Sequence, residues 1–314
     1  MITPQAVREA ASALRDVAVR TPLEYCDAVG AYLKLENMQP VGAFKIRGAF
    51  NAVRLMPDAV RRRGVVTYSS GNHGQAVAFV AQRLGVRAVI VMPETAPAVK
   101  RDGVRKWGGE VVLAGRTSED RQRAAEALAA SDGLAVVPPF DHPDIVAGQA
   151  TVGLEIAQQM RHAATVVVPV GGGGLIAGVL MGLAMGGCAA TVWGVEPVGA
   201  PKLMRSLEAG HPVRLERTAS VADGLITLTV GEVPFEVIQA HRARLGGVAL
   251  VEDDSIRSAM HLLRARCRVS AEPSGAAATA ALLAGRIPAA APVVVVVSGG
   301  NVDPAFFEAG TAHV

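Results

Sequence analysis

Apolar and polar positions along the chain change period repeatedly, and each change marks an element. Helical spacing over residues 4–18 predicts an N-terminal helix, residues 20–23 look extended, and residues 32–36 alternate as a strand. The stretch from Val41 to Phe50 opens a helix that runs through Leu55. From Gly64 strands and helices alternate, with strands predicted at 65–68, 88–92 and 110–113 and helices at 73–84, 98–107 and 118–130. The rhythm breaks at Pro138-Pro139-Phe140. A long helix over 145–160 then leads to the strand Val166-Val167-Val168, the glycines Gly171, Gly172, Gly173 and Gly174, another helix and a strand at 192–195. Helices at 236–244, 255–266 and 275–283 precede an all-valine strand at 293–297. Short strands rich in Val and Ile, alternating with helices, predict an α/β protein whose parallel sheets are covered on both faces. The pattern predicts two domains, each an open, mostly parallel sheet with helices on both sides. Residues 1–56 and 142–314 would form the large domain, and 57–141 a small one inserted into it.

Composition narrows the field. The chain has 314 residues, half of them apolar, enough for two sizeable cores. A formal net charge of +3 and the lack of a basic or aromatic-interleaved patch give no footprint for nucleic acid. Residues 163–195 carry no charge, which a hydropathy window would flag as a membrane span. Pro169 and the glycines split that segment into pieces shorter than the roughly 20 residues a bilayer requires, so it reads as a buried strand, loop and helix. Cys26, Cys188 and Cys267 are odd in number, far apart and in no metal-binding pattern, which points to a reducing compartment. The start of the chain lacks the apolar core of a signal peptide, and the expectation is a cytoplasmic protein.

Chemistry concentrates in four stretches. Lys45 lies between Phe44 and a glycine-punctuated helix start; alone it would read as a solvated surface head. Ser69-Ser70-Gly71-Asn72-His73-Gly74-Gln75 ends a strand and opens a helix, which offers hydroxyls and N–H groups to an anion or else only a helix cap. The four glycines between a buried strand and a helix can turn bare N–H groups toward a dianion at the positive end of the helix, or allow close backbone packing. No Gly-x-x-x-x-Gly-Lys-Ser/Thr loop is present, and no acidic residue follows the glycines by about 20 positions, so a nucleoside triphosphate or dinucleotide site is disfavoured. Ser298-Gly299-Gly300-Asn301 directly follows the valine strand.

In that order the four stretches resemble the fold-type II pyridoxal-phosphate enzymes, of tryptophan synthase beta-like fold, and within them the threonine/serine dehydratase and serine racemase family. The resemblance runs from about Pro22 to Asp303. It implies pyridoxal 5'-phosphate as cofactor, bonded by Lys45, which afterwards acts as a base and must be neutral to do so. Phe44 would flank the cofactor, Gly171, Gly172, Gly173, Gly174 and Leu175 would cradle its phosphate, Asn72 would meet its ring oxygen and Ser298 its ring nitrogen. Glu272 matches a glutamate near the cofactor whose role is open. Ser69, Ser70, Asn72 and His73 would grip the substrate carboxylate, with Ser70 facing the α-carbon opposite the lysine. Arg121 matches a position near the substrate pocket, or is a solvated helix arginine.

The activity implied is an ammonia-lyase, converting a β-hydroxy amino acid such as L-threonine or L-serine to a 2-oxo acid and ammonia. Alternatives are an amino-acid racemase using Lys45 and Ser70 as a two-faced acid/base pair, a dehydratase specific for 3-hydroxyaspartate or phenylserine, and a catalytically silent cofactor-binding protein. Partners would be a small amino acid and a second copy of the chain, with no nucleic acid and no membrane. The regulatory domain that biosynthetic threonine dehydratases carry is not expected here. Two departures stand out: Ala43 replaces the family serine before Phe-Lys, and Phe140 holds a position that is often asparagine in racemases and phenylalanine in dehydratases. In relatives that need a divalent cation, a glutamate ending a strand and an aspartate six residues later help bind it. Here these are Glu196 and Lys202, so no metal is expected, and the ammonium either replaces the ion's charge or points to water.

Overall fold

The computed structural model describes residues 2–69, 71–303 and 305–308. Thr3 caps α1 (Pro4–Ala13) by accepting from the Ala6 N–H, with Pro4 pre-set for the first turn. The chain then lays down β1 (Leu23–Cys26), β2 (Ala31–Leu35), α2 (Lys45–Leu55) and the short α3 (Asp58–Arg61). A compact series follows: β3 (Val65–Tyr68), α4 (Asn72–Leu84), β4 (Ala88–Met92), α5 (Ala98–Lys106), β5 (Glu110–Leu113), α6 (Ser118–Asp132) and β6 (Ala135–Val136). A capping box between Thr117 and Asp120 starts α6, and left-handed glycines end α4 and α6. The remainder is α7 (Pro143–Gln159), β7 (Thr165–Pro169), α8 (Gly174–Met185), β8 (Thr191–Pro197), α9 (Lys202–Ala209), α10 (Glu232–Ala240), β9 (Leu245–Val251), α11 (Asp253–Cys267), α12 (Pro273–Leu283), β10 (Val293–Val297) and α13 (Ala305–Glu308).

Two sheets result. One is six-stranded in the order β1-β2-β10-β7-β8-β9, parallel except for the β1–β2 pair; the other is four-stranded and parallel, β5-β4-β3-β6. Both are covered on both faces, and the valine strand shows why an unbroken apolar run suits this place. Val293, Val295 and Val297 enter the core under α11 and α12, while Val294 and Val296 enter the core under α7 and α8. In β4, Ile90 and Met92 face one core and Val89 and Val91 the other. No helix among the described residues is long and apolar enough to cross a membrane; the charge-free segment is β7, the glycine loop and α8, as expected.

Three features go beyond the sequence reading. Of residues 20–23, read as extended, Leu23 opens β1, which pairs antiparallel to β2. β9 carries no sequence signal, because Gly246 and Gly247 interrupt its alternation; a Cβ on Gly246 would stand 2.5 Å from the Trp193 indole nitrogen, so the neighbouring strand's tryptophan fills that space. The cysteines are not all free: Cys26 and Cys267, 241 positions apart, form a disulfide, leaving Cys188 as a buried thiol. That separation hid the pairing.

Candidate active site

The motif residues gather at the carboxyl ends of the parallel strands, where helix N-termini converge and open α/β sheets bind ligands. Lys45 is the first residue of α2, and the helix is anchored two residues on by Arg47. That buried guanidinium grips both Glu36 oxygens at 2.8 Å and reaches Glu155 at 2.7 Å. Before Lys45, the loop is stitched to the end of β10: Phe44 N–H donates to Ser298 O at 3.1 Å, Gly300 N–H to Gly42 O at 2.9 Å, and Asn301 Nδ2 to Val41 O at 2.8 Å. Gly42 has φ +71°, and a Cβ there would lie 2.3 Å from Asn301 Oδ1, so only glycine fits.

Lys45 Nζ donates to Pro139 O at 2.7 Å and sits 5.2 Å from the Phe44 ring centroid. Among the described residues no carboxylate pairs with it. Burial alone acts on its charge and pulls its pKa down to about 8, so a substantial neutral fraction exists at neutral to mildly alkaline pH.

Asn72 opens α4, its side chain clamped between two partners. Nδ2 donates to Glu272 Oε1 at 2.5 Å, and Oδ1 accepts from Asn301 Nδ2 at 2.8 Å. Glu272, only 6% exposed, is pushed up to about 8 by burial and then by the nearby Asp223 charge, against the Asn72 hydrogen bond and Lys100. It stands as a mostly protonated acid at neutral pH. Ser298 is buried, and its hydroxyl has only a long contact, 3.4 Å, to Ser274 O. Ser69 Oγ accepts from Gly71 N–H at 3.2 Å. Ser70 lies outside the described residues.

The glycine loop is walled closely. A Cβ on Gly171 would come within 2.6 Å of Gly224 O, and one on Gly172 within 2.2 Å of the Phe140 ring. Gly173, at φ +90°, caps α8 in the left-handed region. Leu175 sends its side chain into the core, so only its backbone can serve the loop. Gly224 N–H is held by Ser274 Oγ at 2.9 Å, which ties the loop's wall to the Ser298 neighbourhood.

His73 and Arg121 stand apart from this arrangement. His73 is 3% exposed, with Nε2 3.1 Å from Val137 O; because a carbonyl only accepts, Nε2 carries the proton, and Nδ1 has no partner. Burial, then the Lys45 charge, lowers its pKa to about 3, so it is neutral. Arg121 is half-buried and bonds Ser118 Oγ at 2.8 Å; among the described residues no hydrogen bond links it to the Lys45 cluster. Lys202 does not point to water: it is fully buried, with Glu196 Oε1 3.0 Å from its ammonium.

Sequence reading did not foresee Pro139 as the acceptor for Lys45, nor Gly224 and Ser274 as the wall of the glycine loop. Asn301 was visible inside its motif without a role. Neither did it foresee Lys100 pairing with Asp223, or Arg214 with Glu119, contacts that join the four-stranded unit to the rest. A cavity of about 360 Å³ between Arg264, Arg268, Ser270, Val302 and Phe307 contains none of the cluster's residues.

The donor set fits pyridoxal phosphate. It has a buried amine with no counter-ion among the described residues, a bare-backbone loop at a helix N-terminus where side chains at Gly171, Gly172 and Gly173 would collide, and a buried hydroxyl lacking a close partner.

Comparison with known proteins agrees. Residues 14–299 match the family described as pyridoxal-phosphate dependent enzyme. The chain is 37% identical over 309 residues to an L-threonine ammonia-lyase of Thermotoga maritima, covering 96% of this chain and 76% of that protein. It is 37% identical over 304 residues to an L-threo-3-hydroxyaspartate ammonia-lyase of Saccharomyces cerevisiae, covering 95% and 92%. Among solved structures, maize serine racemase superposes with a TM-score of 0.90 at 33% identity, over 97% of this chain and 95% of that one. The processed form of threonine deaminase isoform 2 from Solanum lycopersicum gives 0.89 at 38% identity, over 97% and 86%. Matched over most of its length by family, relatives and structures alike, the chain belongs to the fold-type II pyridoxal-phosphate dependent enzymes.

Proposed function

We propose that the protein is an ammonia-lyase converting a β-hydroxy amino acid, with L-threonine and L-serine as the first substrates to test, to a 2-oxo acid and ammonia. The observation that carries this is Lys45: an amine with its pKa drawn down to about 8, bonded to a carbonyl, at the convergence of the glycine loop, the Asn72 helix and the end of β10. Pyridoxal phosphate, when bound, supplies the electron sink that acidifies the substrate's α C–H. Neutral Lys45 Nζ takes that proton. Backbone N–H groups of Gly171, Gly172, Gly173 and Gly174 would bind the cofactor's phosphate, Asn72 Nδ2 would meet its ring oxygen, and Ser298 Oγ would offer its ring nitrogen a neutral partner. Such a partner suits elimination, in which a leaving group at the β-carbon drains the charge, better than a long-lived carbanion. Ser69, Ser70 and the start of α4 hold the substrate carboxylate. Phe140, stacked on Gly172, belongs to the same wall.

The relatives are named for threonine, hydroxyaspartate and serine chemistry, so substrate choice is the point to test. A panel of threonine, serine, 3-hydroxyaspartate and phenylserine, with 2-oxo acid and enantiomer assayed in the same tubes, decides it. Enantiomer exchange without 2-oxo acid would overturn the lyase reading in favour of a racemase. The reading also carries a small domain of 57–141 inserted into the large one, a homodimer and a cytoplasmic location. Limited proteolysis, light scattering and cell fractionation test these in turn.

A further inference from the structure

Lys202 opens α9 and is 0% exposed, yet its ammonium faces four oxygens: Val170 O at 3.1 Å, Ala200 O at 3.2 Å, Leu225 O at 2.9 Å and Glu196 Oε1 at 3.0 Å. An ammonium has three protons to give, so the shell offers more acceptors than donors, as a shell built around a compact positive charge would. Glu196 is equally buried and holds the start of α9 as well, since Oε1 accepts from Leu203 N–H at 2.8 Å and Oε2 from Met204 N–H at 3.0 Å. Stability alone is a poor reason for such a pair, because apolar replacements of buried ion pairs are often neutral or stabilising. What the ammonium gathers is more telling. Val170 directly precedes Gly171. Leu225 directly follows Gly224, whose carbonyl stands 2.6 Å from where a Cβ on Gly171 would be and whose N–H is held by Ser274 Oγ. The two carbonyls drawn to Lys202 therefore belong to the two strands of backbone that meet at the first glycine of the loop.

We propose that Lys202 is a positioning residue for the phosphate cradle: its buried ammonium pins the carbonyls of Val170 and Leu225 to one point and so sets the Gly171 backbone against Gly224. This rests on the reading of Gly171, Gly172, Gly173 and Gly174 as the cradle. It acts through the loop and touches no reacting atom. Removing the charge frees both backbone strands and loosens the phosphate's seat, while the Lys45 amine and the Ser298 hydroxyl stay where they are.

The test compares pyridoxal phosphate with pyridoxal, which lacks the phosphate, by titrating apoprotein and reading the visible absorbance. The bond to Lys45 is common to both ligands and cancels in the ratio of affinities, which reports on the phosphate seat alone. In Lys202→Met the ratio should fall by about tenfold or more, the scale of a lost charged hydrogen-bond network, with pyridoxal affinity held within about twofold. Because this variant leaves Glu196 charged and unpaired, Glu196→Gln/Lys202→Met is measured beside it, and circular dichroism establishes that each chain is folded. An unchanged ratio in a folded variant overturns the proposal, as does an equal loss of both ligands. If neither variant folds, the lysine serves the fold as a whole and the specific role is again overturned. Failure of the cradle reading looks different: wild-type protein would then show no preference for the phosphorylated ligand.

Discussion

Lys45 and Glu272 are both moved toward their neutral forms by burial, and both consequences can be measured. Lys45→Ala removes the amine from a place where it bonds only a carbonyl, so we expect turnover and the cofactor's visible absorbance to vanish while circular dichroism is unchanged. Residual 2-oxo acid formation would exclude Lys45 as the base. For Glu272, a folded pKa of about 8 above an unfolded value near 4.5 means that the native state binds the extra proton between those values. Its contribution to stability is full below about pH 4.5 and is lost as pH rises to about 8, at about 1.4 kcal/mol per unit. His73, lowered from 6.5 to about 3, has the opposite sign, its contribution being lost as pH falls below about 6.5, and it overlaps the Glu272 interval, so the comparison needs a reference that keeps it. Urea unfolding of apoprotein and of Glu272→Gln at pH 5 and pH 8 provides that reference. Wild type should lose stability relative to the variant across the interval, and parallel profiles would refute the assignment. The ammonium at Lys202 already occupies the oxygens around Glu196, so chelators should leave turnover unaltered and magnesium or calcium should not raise it. At this scale the sequence was informative wherever a motif dictates backbone. It was silent on Pro139 and Ser274, which matter through a carbonyl or a contact that no residue type announces.

Among the elements, α7 and α8 are joined most intimately, and glycine makes the join. A Cβ on Gly153 would sit 2.4 Å from Val179 O, and one on Gly182 2.1 Å from Ala150 O and 2.5 Å from Leu154 N. Two helix backbones in contact hold the strand-loop-helix that carries the glycine loop against the helix packed on α2. Gly182→Ala would gain up to about 1 kcal/mol of helix propensity. It would also force two backbones apart, and overpacking costs about 1–3 kcal/mol even where side chains can yield. We expect net destabilisation, with loosened cofactor binding as the loop follows the helix. A more stable Gly182→Ala protein in urea unfolding would show that the contact relaxes freely. Helices and buried strands were legible because their periods and Val-rich runs are local. β9 was not, since its pattern is completed by Trp193 on another strand, and the α7–α8 join was not, since a glycine in a helix reads as a weakness until its neighbour is known.

For the molecule as a whole, alternation of short apolar strands and helices was enough to give two mostly parallel sheets, because few other arrangements bury both faces. The cysteines show the limit of such reading. Cys26 ends β1 opposite Ala31, at the start of β2, and therefore lies at the end of the six-stranded sheet away from the carboxyl ends that gather Ser298 and the glycine loop. There it meets Cys267 at the end of α11, across 241 positions of sequence. Chain-entropy reasoning assigns a loop of that length about 5 kcal/mol, and measured bridges contribute about 2–4 kcal/mol. Cys26→Ser/Cys267→Ser should therefore unfold at lower urea, by about 2–4 kcal/mol, with cofactor absorbance and turnover intact because the bridge is remote from Lys45. Reductant should bring wild type down to the variant's midpoint and leave the variant unmoved. A wild-type midpoint indifferent to reductant would mean that the two thiols are not bridged in the protein, and would restore the reading of a reducing compartment.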